Sequence, residues 1–146
     1  MEVELIINQS EEKERIVIHA KEITADLQSI INFIDETLHK TIIYGQKNDE
    51  LYPLNDETIV RFYTENKAVY AEDIHRKYKV NKRLYELEKI LPRQFVRISQ
   101  SEIINITFIK KLKQEMNGLI KISFKNEEFT YSSRRYLKSI KEALQL

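Results

Sequence analysis

Two stretches in the last third of the chain carry side chains whose types and spacing suit recognition chemistry. In Phe95-Val-Arg-Ile-Ser-Gln-Ser-Glu102, Arg97 and Gln100 flank a short polar turn, and Ser99 and Ser101 bracket Gln100. In Tyr131-Ser-Ser-Arg-Arg-Tyr-Leu-Lys138, two hydroxyls and two arginines open a helix, with Lys138 close behind. A helix start offers free backbone N–H groups, and beside hydroxyls and guanidinium forks it makes a phosphate grip. Gln and Arg at loop tips are also the side chains able to make paired hydrogen bonds to adenine and guanine edges in a major groove. Charge alone leaves two readings open: nucleic-acid binding, or a basic face that serves only solubility.

Catalytic signals are sparse by comparison. No glycine-rich phosphate loop is present, and both glycines, Gly45 and Gly118, sit at turn-like positions. His19, His39 and His75 fall in separate elements with no Ser or carboxylate at a suggestive spacing, so each reads as a surface or strand-edge imidazole. The acidic pairs Glu11-Glu12, Asp49-Glu50 and Glu127-Glu128 lie in segments that read as solvated turns. The absence of cysteine removes disulfides, thiolate zinc sites and Cys nucleophiles together. No enzymatic activity, metal or cofactor is expected.

The elements that must position the recognition residues follow from hydrophobic spacing. Residues 1–38 read as a small β-β-α appendage. Val3, Leu5 and Ile7 suit one strand, Arg15-Ile-Val-Ile-His-Ala20 a second, and Ile23, Leu27, Ile30 and Ile34 mark one face of a helix near Ile23–Leu38. That isoleucine stripe must bury against the rest of the chain or against a second copy, which makes the appendage a candidate for dimerisation or signal input.

Residues 39–146 change texture to short strands. Five candidates, Thr41–Tyr44, Glu50–Leu54, Thr58–Thr64, Ala68–Ala71 and Arg76–Val80, are separated by polar turns, and Pro53 assigns the second of them to a sheet edge. A helix over Lys82–Leu91 follows, with Asn81 as N-cap and Pro92 as stop. Beyond it come a strand at Gln94–Ile98, a turn around Ser99–Glu102, and a hairpin joining Asn105–Glu115 to Leu119–Lys125. Asn117-Gly118 predicts a two-residue turn there, with positive φ at both positions. A short Phe129–Tyr131 strand leads to a last helix capped by Ser132 or Ser133, with Leu137, Ile140 and Leu144 inward.

With 146 residues the chain suits one domain and a small appendage. Its formal charge of +1 hides an asymmetry, because residues 1–73 carry 7 basic and 16 acidic side chains (net −9) and residues 74–146 carry 17 and 7 (net +10). At 42% hydrophobic and 32% charged, it falls outside collagen-like, low-complexity and disordered compositions. No basic segment followed by a long apolar run opens the chain, and no stretch approaches the ~18 apolar residues of a membrane span. A cytoplasmic protein without membrane insertion is expected.

The order of motifs is more specific than the charge. Phe95-Val-Arg-Ile-Ser-Gln-Ser-Glu-Ile-Ile-Asn105, the Asn117-Gly118 hairpin, Tyr131-Ser-Ser-Arg-Arg-Tyr-Leu-Lys138 and the helix ending Leu87–Leu91-Pro92 occur in sequence. The stretch from about Thr41 to Leu144 thereby resembles the LytTR family of bacterial DNA-binding domains. The resemblance implies a β-rich α+β fold of small sheets with short helices. It also implies loops, rather than a recognition helix, that enter successive major grooves, often on paired direct repeats and with bending of the DNA. Carried onto this chain, base contacts fall on Gln100 and Arg135, and a third, from an earlier strand-to-strand loop, on Lys67. Backbone contacts fall on Arg97, Ser99, Ser101, Ser133, Arg134 and Lys138. Many members have His where this chain has Ser99, and no family-like His stands near Lys67. Asn105 is expected to brace its turn rather than touch DNA.

Family response regulators place a receiver domain before this module, and residues 1–36 are far short of the ~120 that one would need. The chain thus resembles a stand-alone member, and the expected function is sequence-specific duplex DNA binding as a transcription regulator, with a possible homodimer. The competing class is a protein-interaction module that binds no nucleic acid.

Overall fold

The computed structural model describes residues 4–10, 12, 15–38 and 40–146. The chain divides into two compact units, Met1–Asp35 and Glu36–Leu146.

In the first unit the expected helix forms as α1 (Ala25–Leu38, its last turn extending past the unit boundary). Thr24 starts it, its hydroxyl accepting the Leu27 N–H at 3.2 Å, with Asp26 in the first turn. Leu27 is buried, while Ile23 and Ile30 are exposed. The two expected strands are a correction: residues 4–10 and 15–20 form none, and Val3 lies outside the described residues. Alternation is necessary for a strand but not sufficient, since an isolated pair of strands is marginal without a third strand or a covering face. Leu5, Ile7 and Ile16 remain exposed, consistent with that lack.

The second unit is built on two antiparallel sheets. Strands β1 (Tyr44–Lys47), β2 (Glu50–Pro53), β3 (Ile59–Glu65), β4 (Ala68–Asp73), β5 (Lys77–Val80), β6 (Phe95–Ser99) and β7 (Glu102–Asn105) form a seven-stranded sheet in the order β2-β1-β5-β4-β3-β7-β6. Strands β8 (Ile109–Gln114), β9 (Ile120–Phe124) and β10 (Phe129–Tyr131) form a second, with β9 central. Helix α2 (Leu84–Ile90) packs against β3, β6 and β7, and α3 (Leu137–Ala143) against β6. The Pro53 strand is indeed an edge, where a missing amide donor costs no ladder bond.

Two cores occupy the two faces of the larger sheet. Phe62, Val69, Val80, Leu84, Leu87 and Ile103 pack in one, and Val60, Ile98, Ile104, Ile122, Phe124 and Ile140 in the other. Strand β7 is the common wall: Ile103 enters one core and Ile104 the other. The sequence pattern divided this strand between the Ser99–Glu102 turn and the Asn105–Glu115 strand, because all four of its residues are buried and a doubly covered strand shows no solvent face to mark it.

Other local expectations change too. Gly45 lies within β1 and not in a turn; a methyl group there would sit 2.5 Å from Cβ of Tyr78 and 2.8 Å from Cδ2 of Leu54, so its smallness admits close packing. At the β8–β9 hairpin only Gly118 has positive φ (84°). The Gly118 N–H donates to the Glu115 carbonyl and the Glu115 N–H to the Leu119 carbonyl. This is a three-residue loop whose glycine takes the left-handed bulge position, in place of a two-residue turn. Arg83, not Asn81, occupies the α2 cap position and offers no side-chain bond. Ser132 does not cap the last helix either; its hydroxyl accepts the Ile120 N–H at 2.9 Å.

Candidate nucleic-acid interface

Strand register places the candidate recognition turns along one end of the larger sheet. Tyr63 of β3 pairs with Glu102 of β7, so the β6–β7 turn, with Gln100 at its tip, lies at the same end as the β3–β4 turn. The Thr64 N–H donates to the Ser101 carbonyl at 2.9 Å and joins the two turns directly. Val69 pairs with Val80, which brings the end of β5 to that end as well. At ~4.8 Å per strand the two turn tips are about 10 Å apart.

The third element, the junction between β10 and α3, reaches the same place from the second sheet. The Ser133 N–H donates to the Ile98 carbonyl of the outermost strand β6 at 2.9 Å, and the Ser132 N–H to the Ile120 carbonyl at 3.0 Å. Buried Ile140 anchors α3 behind the junction. Arg134 and Arg135 then start a single 3₁₀ turn, Arg134–Tyr136, ahead of α3, both exposed, as is Lys138.

Side-chain geometry separates the candidates. Gln100, Ser101, Lys67, Arg134, Arg135 and Lys138 are exposed, and Ser99 is half-buried. The Ser99 and Ser101 hydroxyls bond to each other at 3.2 Å, which stiffens the Gln100 tip. Arg97 is turned inward: its Nε donates to the Ser99 carbonyl at 2.9 Å, one terminal nitrogen to the Gln100 carbonyl at 2.7 Å, and the other to Glu88 of α2 at 2.9 Å. It is a brace for the turn. Ser133 Oγ is covered and has no hydrogen-bond partner, so in this structure it faces no solvent from which a phosphate could approach.

Lys67 holds its place under strain. In the Asn66-Lys67 turn both residues have positive φ, 49° and 64°, the mirror-image turn that matches strand twist and that Asn tolerates better than Lys. Asn105, as expected, is a brace. Fully buried, it donates to the carbonyls of Asp56 (3.1 Å) and Ile59 (2.8 Å) and accepts from the Thr107 N–H and hydroxyl.

Sequence reasoning missed the charged cluster behind this surface. Arg61 Nε meets Glu72 at 2.6 Å and a terminal nitrogen meets Glu102 at 2.9 Å, while Thr130 of β10 donates to the other oxygen of Glu102 at 2.5 Å. Burial disfavours the charged guanidinium, but the hydrogen bonds and charges of the two glutamates outweigh it and raise its pKa above the usual arginine range. Alternation held the signal, since Arg61 and Tyr63 share a face opposite Phe62. Nearby, the Lys77 ammonium pairs with Glu65 and lies 4.2 Å from the Tyr70 ring centroid; its pKa rises through the Glu65 bond, and burial raises that of the Tyr63 phenol. Among the described residues no group of His, Asp and Glu is placed to hold a metal ion, and no helix is long and apolar enough to cross a membrane.

A strand-rich domain that presents hairpin tips and a basic helix junction along one end is a β-scaffold recognition module, and its sequence agrees. Residues 49–145 match the model of the LytTr DNA-binding domain, and the chain belongs to the LytTR family. Over all 146 residues it is 44% identical to an uncharacterized HTH-type transcriptional regulator of Staphylococcus aureus strain NCTC 8325 / PS 47, covering 99% of that protein. A counterpart in strain MRSA252 is 43% identical over the same length. Its fold is similar to the LytTr DNA-binding domain of a protein described as a methyl-accepting/DNA response regulator from Bacillus cereus. That match has a TM-score of 0.70 and 21% identity, with 74% of this chain and all of that one covered. The relatives' label of helix-turn-helix type does not describe the geometry here: five strands separate α2 from α3.

Proposed function

We propose that the chain is a transcription regulator that binds duplex DNA sequence-specifically, its loops entering successive major grooves, with base contacts from the neighbouring Gln100 and Lys67 tips and from the Arg135 junction. The observation that carries this reading is the convergence of these three exposed side chains at one end of a LytTR fold. Gln100, Arg135 and Lys67 read bases; Ser99, Ser101, Arg134 and Lys138 hold phosphates. Arg97 sets the Gln100 turn, and Ser133 contributes through its backbone.

Selection of bound sequences from a random duplex pool tests the proposal. Recovery of two short direct repeats about one helical turn apart supports a paired mode of binding. Arg135→Ala should then cost ~1–3 kcal/mol on the selected sequence and relax one base position, whereas Lys138→Ala should weaken all sequences alike. Equal losses on selected and random DNA for Arg135→Ala would remove its base-reading role. No enrichment at all would favour a protein-interaction module.

Residues 1–38 fit a dimerisation or signal-receiving segment of a cytoplasmic regulator. The exposed apolar side chains Leu5, Ile7, Ile16, Ile23 and Ile30 support that role.

A further inference from the structure

Beyond the β3–β4 turn, on the side away from Gln100, lies a shallow depression between Lys67 and the segment that links β5 to α2. Lys67, Lys79, Lys82 and Arg83 border it, and Glu86 is the one acidic side chain among its residues. Among the described residues none of these four cations has an ion-pair or side-chain hydrogen-bond partner. Lys77 is committed to Glu65, Arg97 to Glu88 and Lys110 to Glu127. Lys67, Lys79 and Arg83 are exposed and Lys82 is half-buried. Four cations around a single carboxylate give this part of the sheet end a positive potential that attracts an anion such as a phosphate.

Strand order fixes where this surface stands relative to the reading tips. The end of β5 is three to four strand spacings from the β6–β7 turn, or about 17 Å from Gln100. A major groove is ~12 Å wide and carries a phosphate strand on each side, so a duplex read at Gln100 presents backbone within that span. The order along the sheet end is Arg135 junction, Gln100 tip, Lys67 tip, then Lys79, Lys82 and Arg83.

We propose that Lys79, Lys82 and Arg83 form an outer grip on the phosphate backbone of the same duplex, flanking the base-reading tips and reading no sequence. The inference rests on the functional reading above and extends its footprint. Each phosphate neutralised contributes about −0.9 to the slope of log affinity against log salt.

The test compares wild type with Lys79→Ala/Lys82→Ala/Arg83→Ala on a random-sequence 40-base-pair duplex and on the selected sequence, at several salt concentrations, with thermal melting to check the fold. The triple variant should lose affinity by the same factor on both duplexes, and its salt slope should be shallower by ~2–3. Shortening the duplex on the β5 side should weaken wild type and leave the variant unchanged. An unaltered slope, or a loss confined to the selected sequence, overturns the outer grip alone. Failure of wild type to bind either duplex overturns the functional reading and the grip with it.

Discussion

Replacing Arg61 by methionine removes the cation that Glu72 and Glu102 share while keeping much of its aliphatic bulk. The three side chains are 14%, 17% and 9% exposed, so screening is modest and the two carboxylates would be left close together without their counter-charge. Breaking a buried ion pair from one side costs ~3–5 kcal/mol. The guanidinium also lies 4.8 Å from the Tyr63 ring centroid and 5.7 Å from that of Phe124, contacts whose loss adds to the effect. Residual exposure argues for the lower half of the range, about 3–4 kcal/mol, or a fall in melting temperature of roughly 10–15 °C for a domain of this size. Urea unfolding followed by circular dichroism measures it. Arg61→Met/Glu72→Gln/Glu102→Gln should recover at least half of the loss, since neutral amides can share hydrogen bonds without mutual repulsion. A single-variant cost below ~1 kcal/mol, or a triple variant no better than the single, would refute the idea that charge pairing ties β3, β4 and β7 together here.

Two further substitutions test separate parts of the structure. Lys67→Gly relieves a lysine held at φ 64°. The fold should be unchanged or up to ~1 kcal/mol more stable, while duplex affinity falls; a clear loss of stability would contradict the strained turn. Gly45→Ala forces a methyl group against the Tyr78 and Leu54 side chains, so a loss of ~1–3 kcal/mol should appear in thermal or urea unfolding, with wild-type stability the refuting result.

What the amino acids disclose by themselves divides along physical lines. Strands β3, β4, β5 and β9 and helix α2 each show an apolar face, and periodicity finds them within a residue or two. Strand β7 lacks that contrast because both its sides are interior. The Leu5/Ile7 and Ile16/Ile18 runs have the contrast but no partner strand, which is a tertiary condition that local pattern does not contain. Among the candidate recognition residues, type and motif order pointed to positions that lie in exposed turns, Gln100 and Lys67, and at the exposed junction of Arg135. The use of Arg97 depended on where α2 places Glu88, nine positions earlier, and the triad at Arg61 joins residues from three strands and is reached from a second sheet. Such assignments follow only once the topology is known.

The end of the sheet that carries Lys67, Arg83, Gln100 and Arg135 draws on four segments well separated along the chain. No hairpin or helix presents that surface alone, and its last contributor is held in place by a bond from Ser133 back to β6. On the proposed reading, recognition therefore needs the whole domain assembled. A chain with only the first hairpins paired would carry the Lys67 turn without the Gln100 turn or the Arg135 junction, so a truncation before β6 should lose selective binding altogether.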